Sequence, residues 1–169
     1  MIASAAGGDG TFRLADLHID SPSAPDVAVS MRWSDGPNEF GARGIIVASK
    51  SKDAAAGTHG TLSPFDLHNI LFAAGPDFRE GLVSDLASSN LDVAPTILQI
   101  LGCKAPQHFD GQILAEALKD HGNAPAESSS SVVEARRPLD GAEWRQYVRT
   151  TNVGGHIYID EGNGELQSK

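Results

Sequence analysis

The sequence predicts an α/β domain, and three observations carry that reading. A β-rich stretch and two short, continuous apolar runs suit strands. A segment with helical spacing and both start and stop signals follows them. Near the end, two β-rich stretches flank a Gly-Gly pair, which reads as a hairpin. Strands alternating with helices point to layered α/β architecture, with the terminal hairpin as an appendage.

Taken in order, residues 1–25 are rich in Ala, Gly, Ser and Pro and read as an irregular segment. The stretch DVAVSMRW, residues 26–33, predicts a strand, and SDGPNEFGARG after it is turn chemistry. GIIVAS at 44–49 and ILFAA at 70–74 predict buried strands, the second stopped by Gly75-Pro76. SSNLDVAPTILQILG predicts a helix, with Asp92 or Asn90 as cap, Pro95 in its first turn and Gly102 as its stop. DGQILAEALKD predicts a shorter helix opened by Asp110. Residues 121–138 are poor in large apolar side chains and read as a flexible linker or loop. Residues 139–165 read as a terminal β-hairpin of the same domain, turning at Gly154-Gly155.

The formal charge is -9, which argues against a nucleic-acid surface, because such a surface needs a basic stripe. A phosphate-ester substrate remains compatible with this charge, since a bound metal reverses the local field. The one cysteine, Cys103, precludes an internal disulfide or a thiolate cluster and reads as a packing residue. No apolar run approaches the ~20 residues that cross a bilayer. The start lacks a signal peptide and reads as though cut from a longer chain.

One stretch has the look of a site. His59 lies between Gly57-Thr58 and Gly60, in a loop between two predicted strands. Flanking glycines let the backbone bend and keep bulk away from the ring, and neutral imidazole is a good zinc ligand. By itself, a histidine in a glycine-containing loop is more often a solvated residue, and no HxH or HExxH pattern accompanies it. Ser63 can simply cap the turn begun by Pro64, with Asp66 assisting. Thr58, Thr61 and Ser63 lie close to His59 and Asp66, but triad members converge from separate elements rather than from one loop. His68 reads as a surface or structural residue, and His18, His108, His121 and His156 have no supporting neighbours. Asp16, Asp20 and Asp26 read as solvated, and Asp160, Glu161 and Asn163 are too few for a calcium loop.

As an ordered series, GTHGTLSPFDLHNILFAAGPDF, SSNLDVAPTILQILG and FDGQILAEAL resemble the closing segment of type I phosphodiesterases and nucleotide pyrophosphatases of the alkaline-phosphatase superfamily. The upstream PDVAVSMRWSDGPNEFGARG and downstream YVRTTNVGGHIYIDEGNG resemble flanks of bacterial members. The likeness implies a three-layer αβα sandwich, of which residues 26–120 form the carboxy-terminal part. It implies a two-zinc hydrolase of phosphodiester, phosphomonoester, sulfate or phosphonate bonds. In such a site a Thr or Ser attacks and the metals clamp the attacking and leaving oxygens. His59 stands where members carry a metal ligand, while Thr58 and Gly60 carry over only as loop-shaping neighbours. The nucleophile and the remaining ligands precede this region in members and have no counterpart here; Asp120-His121 lies beyond the helix in the linker.

The chain alone is therefore expected to be an inactive fragment: a truncated product, a gene-model fragment, or one part completed by another chain that supplies the missing amino-terminal half, the full-length family acting on phosphate- or sulfate-ester small molecules. Members are often periplasmic or secreted. A reading of another class is a non-catalytic binding or assembly module that reuses the same fold.

Overall fold

The computed structural model describes residues 1–46, 60–104, 108–119 and 127–168. Among them the chain is mixed α/β, with three small sheets and few helices. Strands β1 (Ile2–Ser4), β2 (Phe12–Arg13) and β3 (Val27–Val29) form one sheet in the order β2-β1-β3. β1 runs parallel to β2 and antiparallel to β3. β4 (Trp33–Pro37) and β5 (Arg43–Ile46) form an antiparallel pair. β6 (Ser128–Leu139), β7 (Ala142–Val153) and β8 (His156–Ser168) form the third sheet in chain order. The α-helices are α1 (Pro64–Leu67) and α2 (Val93–Ile100). No described helix is long and apolar enough to cross a membrane.

The chain divides into two compact units. Unit 1 comprises Met1–Asn69, Ser131–Arg149 and Ile159–Lys169; unit 2 comprises Ile70–Ser130 and Thr150–Tyr158. In unit 1, Met1, Ala3, Phe12, Leu14, Leu17 and Val148 form the buried cluster, with Ile19, Ala28, Leu62, Ala135 and Ile159 packed on it. The amino-terminal stretch expected to be irregular therefore supplies most of this core. It carries β1, β2 and a 3-10 turn (Leu14–Leu17) closed by an Arg13–Asp16 capping pair. In unit 2, Leu114, Leu118, Val153 and Tyr158, with Pro95, are the buried apolar side chains of the described residues.

Several predicted elements change form. The strand expected over 26–33 divides into β3 and the start of β4, and the run 44–49 is described only as far as Ile46. Residues 70–74 form no strand, and Ile70 is 81% and Phe72 89% exposed. No neighbour among the described residues offers that run a ladder partner, and a strand needs one. The helix expected from Asp110 shrinks to a 3-10 turn (Ala115–Ala117). The expected linker contains all but the last residue of β6, a strand as long as β7. Asp140-Gly141 is the tight turn joining them, with Gly141 at φ +72°. Cys103 is exposed rather than packed.

Two elements follow their sequence signals. β7 and β8 meet at Gly154-Gly155, whose φ values of +59° and +92° both demand a left-handed backbone. α2 ends in a Schellman motif: Gly102 N–H donates to Gln99 O at 3.1 Å and Cys103 N–H to Leu98 O at 2.9 Å. At its start Asp92 holds the N-cap position without a side-chain capping bond to α2, and the capping bonds fall one turn earlier, at Ser89. Ser89 Oγ accepts from Leu91 N, and Asp92 returns the bond by accepting from Ser89 N, a reciprocal capping box on the 3-10 turn (Asn90–Asp92) that leads into α2.

Candidate functional site

The residue nominated as a metal ligand, His59, lies in the segment 47–59, outside the described residues, as do Gly57 and Thr58. The chain that follows this segment is firmly held within unit 1. Gly60 takes φ +86°. Thr61 donates from both its N–H and its hydroxyl to Asp66 Oδ2, each at 2.9 Å. Leu62 N–H donates to Ser30 Oγ at 3.0 Å, and Leu62 O accepts from Gly162 N–H of β8 at 2.8 Å. Ser63 Oγ accepts from Phe65 N–H and caps α1, with Pro64 as its first residue. Thr61 and Ser63 are buried and committed to these bonds, so neither hydroxyl is presented as a nucleophile. Asp66 closes the turn, and His68, at the end of α1, is exposed.

The other histidines and acids are dispersed. His18 ends the 3-10 turn in a left-handed backbone at φ 57°. His108 Nδ1 lies 2.7 Å from Phe109 O, and His156 Nδ1 lies 2.9 Å from Asp110 O. Asp16 pairs with Arg13 at 2.6 Å rather than standing free in solvent. Asp120 and His121 lie outside the described residues. Among the described residues no group of three or more His, Cys, Asp or Glu side chains is arranged to hold a metal.

Unit 2 contains one buried polar knot. Asp92 is completely buried; its Oδ1 accepts from Gln112 N–H at 2.8 Å and from the Tyr158 hydroxyl at 3.2 Å, while its Oδ2 accepts from Ser89 N–H at 2.7 Å. Gln112 Nε2 donates to the Tyr158 oxygen at 2.8 Å. Burial, reinforced by the Asp92 carboxylate and opposed by the Gln112 amide, pushes the Tyr158 phenol up to about 12. Thr96 Oγ1 donates to Asp92 O at 2.7 Å and accepts from Leu114 N–H at 3.0 Å. Gly111 passes so close to the backbone that a Cβ there would stand 2.2 Å from Leu91 O. Every polar atom of Asp92 is thus occupied, which makes the knot a scaffold rather than a reactive centre.

Unit 1 carries a concave face that the sequence reading missed. Arg32, Arg145, Arg149, Tyr147, Asn163 and Glu134 are among the side chains lining a cavity of about 500 Å3. The readable signal was Arg145-Gln146-Tyr147-Val148-Arg149, in which alternate residues of a strand share one face. Gln146 and Val148 are buried on the other face. Arg145 and Arg136 hold the Glu134 carboxyl far below the usual range, at about 2.

No family model matches the chain, and no curated protein or solved structure matches it either.

Proposed function

We propose that this chain is the carboxy-terminal part of a zinc-dependent phosphoesterase of the alkaline-phosphatase superfamily, resembling type I phosphodiesterases and nucleotide pyrophosphatases. The observation that carries the proposal is the order of its motifs: GTHGTLSPFD, then AAGPDF, then DVAPT, then DGQIL. The geometry supports it in one respect. Asp92 and Thr96 of the third motif and Gly111-Gln112 of the fourth meet in a single buried knot. Thr61, Ser63 and Asp66 of the first motif are spent on folding their own turn. These motif residues therefore have scaffold roles, and His59 is the one to which the reading gives a metal. In the full enzyme, zinc would polarise the ester and activate the attacking hydroxyl. This chain would contribute one ligand and the last strands and helices of an αβα sandwich. A lone histidine cannot fill a tetrahedral zinc shell, so the chain alone is inactive.

The test is zinc binding and turnover of an aryl phosphodiester by the purified chain and its His59→Ala variant. The expected result is weak zinc uptake that His59→Ala abolishes, with no turnover by either protein. Robust turnover lost on His59→Ala would overturn the inactivity. Zinc uptake unchanged by His59→Ala would overturn the ligand assignment and favour a non-catalytic module.

A further inference from the structure

The cavity in unit 1 has a size, about 500 Å3, that suits small organic ligands. Alternation along β7 brings Arg145, Tyr147 and Arg149 to its lining. Arg32 joins them from the segment between β3 and β4, and its neighbour Trp33 is fixed in place. The Trp33 indole Nε1–H donates to Gly162 O at 2.8 Å, and Asn163 Nδ2 donates to Trp33 O at 2.9 Å. Arg32 is thereby anchored beside Asn163, itself part of the lining.

The lining holds more donors than acceptors. A guanidinium presents five N–H groups and no acceptor. Arg145 donates from Nη2 to Glu134, yet its Nε–H is buried with no acceptor among the described residues. Arg149 Nη1 pairs with Glu161 Oε1 at 3.1 Å, and the Tyr147 hydroxyl donates to the same oxygen at 3.3 Å. Arg32 has no carboxylate partner among the described residues. Glu134 and Glu165 also line the cavity, but Glu134 is shared by Arg136 and Arg145 and holds Arg145 in orientation. A guanidinium left unspent on a chain of net charge -9 runs against the composition.

We infer that this cavity binds a small, multiply charged oxyanion through the guanidinium forks of Arg32, Arg145 and Arg149, with Glu134 positioning Arg145. Paired N–H donors match the geometry of phosphate and carboxylate oxygens alike. The inference does not rest on the hydrolase reading.

Calorimetric titration of the full chain with pyrophosphate, and separately with citrate, tests it. The expected result is saturable binding of at least one probe. Pyrophosphate alone identifies a phosphate ligand, citrate alone a polycarboxylate, and both a general oxyanion site. Arg32→Ala should weaken binding by about tenfold, the order expected for one charge-assisted bond. Arg43→Ala, which removes a guanidinium paired with Asp35 outside the cavity, should leave it unchanged. Glu134→Gln should also weaken binding, although it removes a negative charge; attraction by net charge alone would strengthen it. No saturable binding of either probe, or equal losses from Arg32→Ala and Arg43→Ala, would overturn the site. Tighter binding by Glu134→Gln would overturn the positioning role. Arg32 is exposed and its side chain bears no structural bond among the described residues, so its variant folds and the test stands.

Discussion

The side-chain amide of Gln146 pairs with both backbone groups of Ile2: its Oε1 accepts from Ile2 N–H at 2.8 Å and its Nε2 donates to Ile2 O at 2.9 Å. A completely buried glutamine on β7 thus stands in for a strand neighbour of β1. Replacing it with leucine keeps the volume and orphans both Ile2 groups. Gln146→Leu should cost about 2–4 kcal/mol, since a buried unsatisfied backbone group costs about 1–3 kcal/mol. Urea unfolding followed by tryptophan fluorescence measures this, and a loss below 1 kcal/mol (about the value of one ordinary hydrogen bond) would remove Gln146 from the account of how β1 is held.

Asp92 is the corresponding tie in unit 2. Asp92→Ala removes the acceptor for Gln112 N–H, Ser89 N–H and the Tyr158 hydroxyl at once. The expected loss is about 3 kcal/mol or more, because hydrogen bonds to charged groups contribute about 1.5–3 kcal/mol each and are not additive. Asp92→Asn should cost less, because one oxygen still accepts while the new amide opposes Ser89 N–H. Hydrogen exchange at the Gln112 amide reports the tie directly, and unchanged protection in Asp92→Ala would refute it.

How much of this was readable depends on whether a residue's partner lies nearby in sequence. Gly154-Gly155, Gly102 and the Ser63-Pro64 cap act over a few residues, and each appears where its signal stands. β1 could not be read this way, because Ile2 is satisfied by Gln146 and Ala3 by strands β2 and β3. β6 was readable in principle from Asp140-Gly141, but its serines and scarce apolar residues resemble a linker. Its pairing comes from β7, including the Ser130–Thr151 hydroxyl contact at 2.9 Å. The run at 70–74 shows the opposite error: apolar composition without a partner strand among the described residues stays exposed. At the site, His59 is singled out by the ordered motifs that follow it rather than by its flanking glycines, and it lies outside the described residues. The Arg145, Tyr147 and Arg149 face was legible as alternation, whereas the approach of Arg32 depends on Trp33 meeting β8.

Gly111 makes a steric prediction. A Cβ there would lie 2.2 Å from Leu91 O and 2.3 Å from Leu91 C, inside any permitted contact, and both are backbone atoms. Gly111→Ala must therefore push apart the two segments that Asp92 joins, at a cost of about 1–3 kcal/mol. Gly36 is the control: its nearest neighbours to a Cβ stand at 3.7 Å and its φ is not left-handed. Gly36→Ala should be neutral or stabilise by about 0.5 kcal/mol through the unfolded chain. Equal melting temperatures for the two variants would contradict the close approach.

Tyr158 makes the knot visible to pH, with Tyr147 as the second phenol of the chain. Tyr158 is pushed up to about 12, chiefly by burial, and Tyr147 is raised by burial and by Glu161. The folded chain therefore keeps its phenol protons above pH 10, where the unfolded chain has lost them. An unfolded state that binds fewer protons gives stability that falls with rising pH. The Tyr158 contribution is thus fully present below pH 10 and is lost progressively up to about 12. Phenolate absorbance should appear late in the native protein and near pH 10 in urea. Tyr158→Phe should remove the highest step and flatten the alkaline decline in stability. It should also leave Asp92 with one bond fewer, so the variant starts less stable at neutral pH. A native titration with both phenols near 10 would show that solvent reaches the Asp92–Tyr158 contact, and the knot could not then be the buried tie between β8 and the turn that leads into α2.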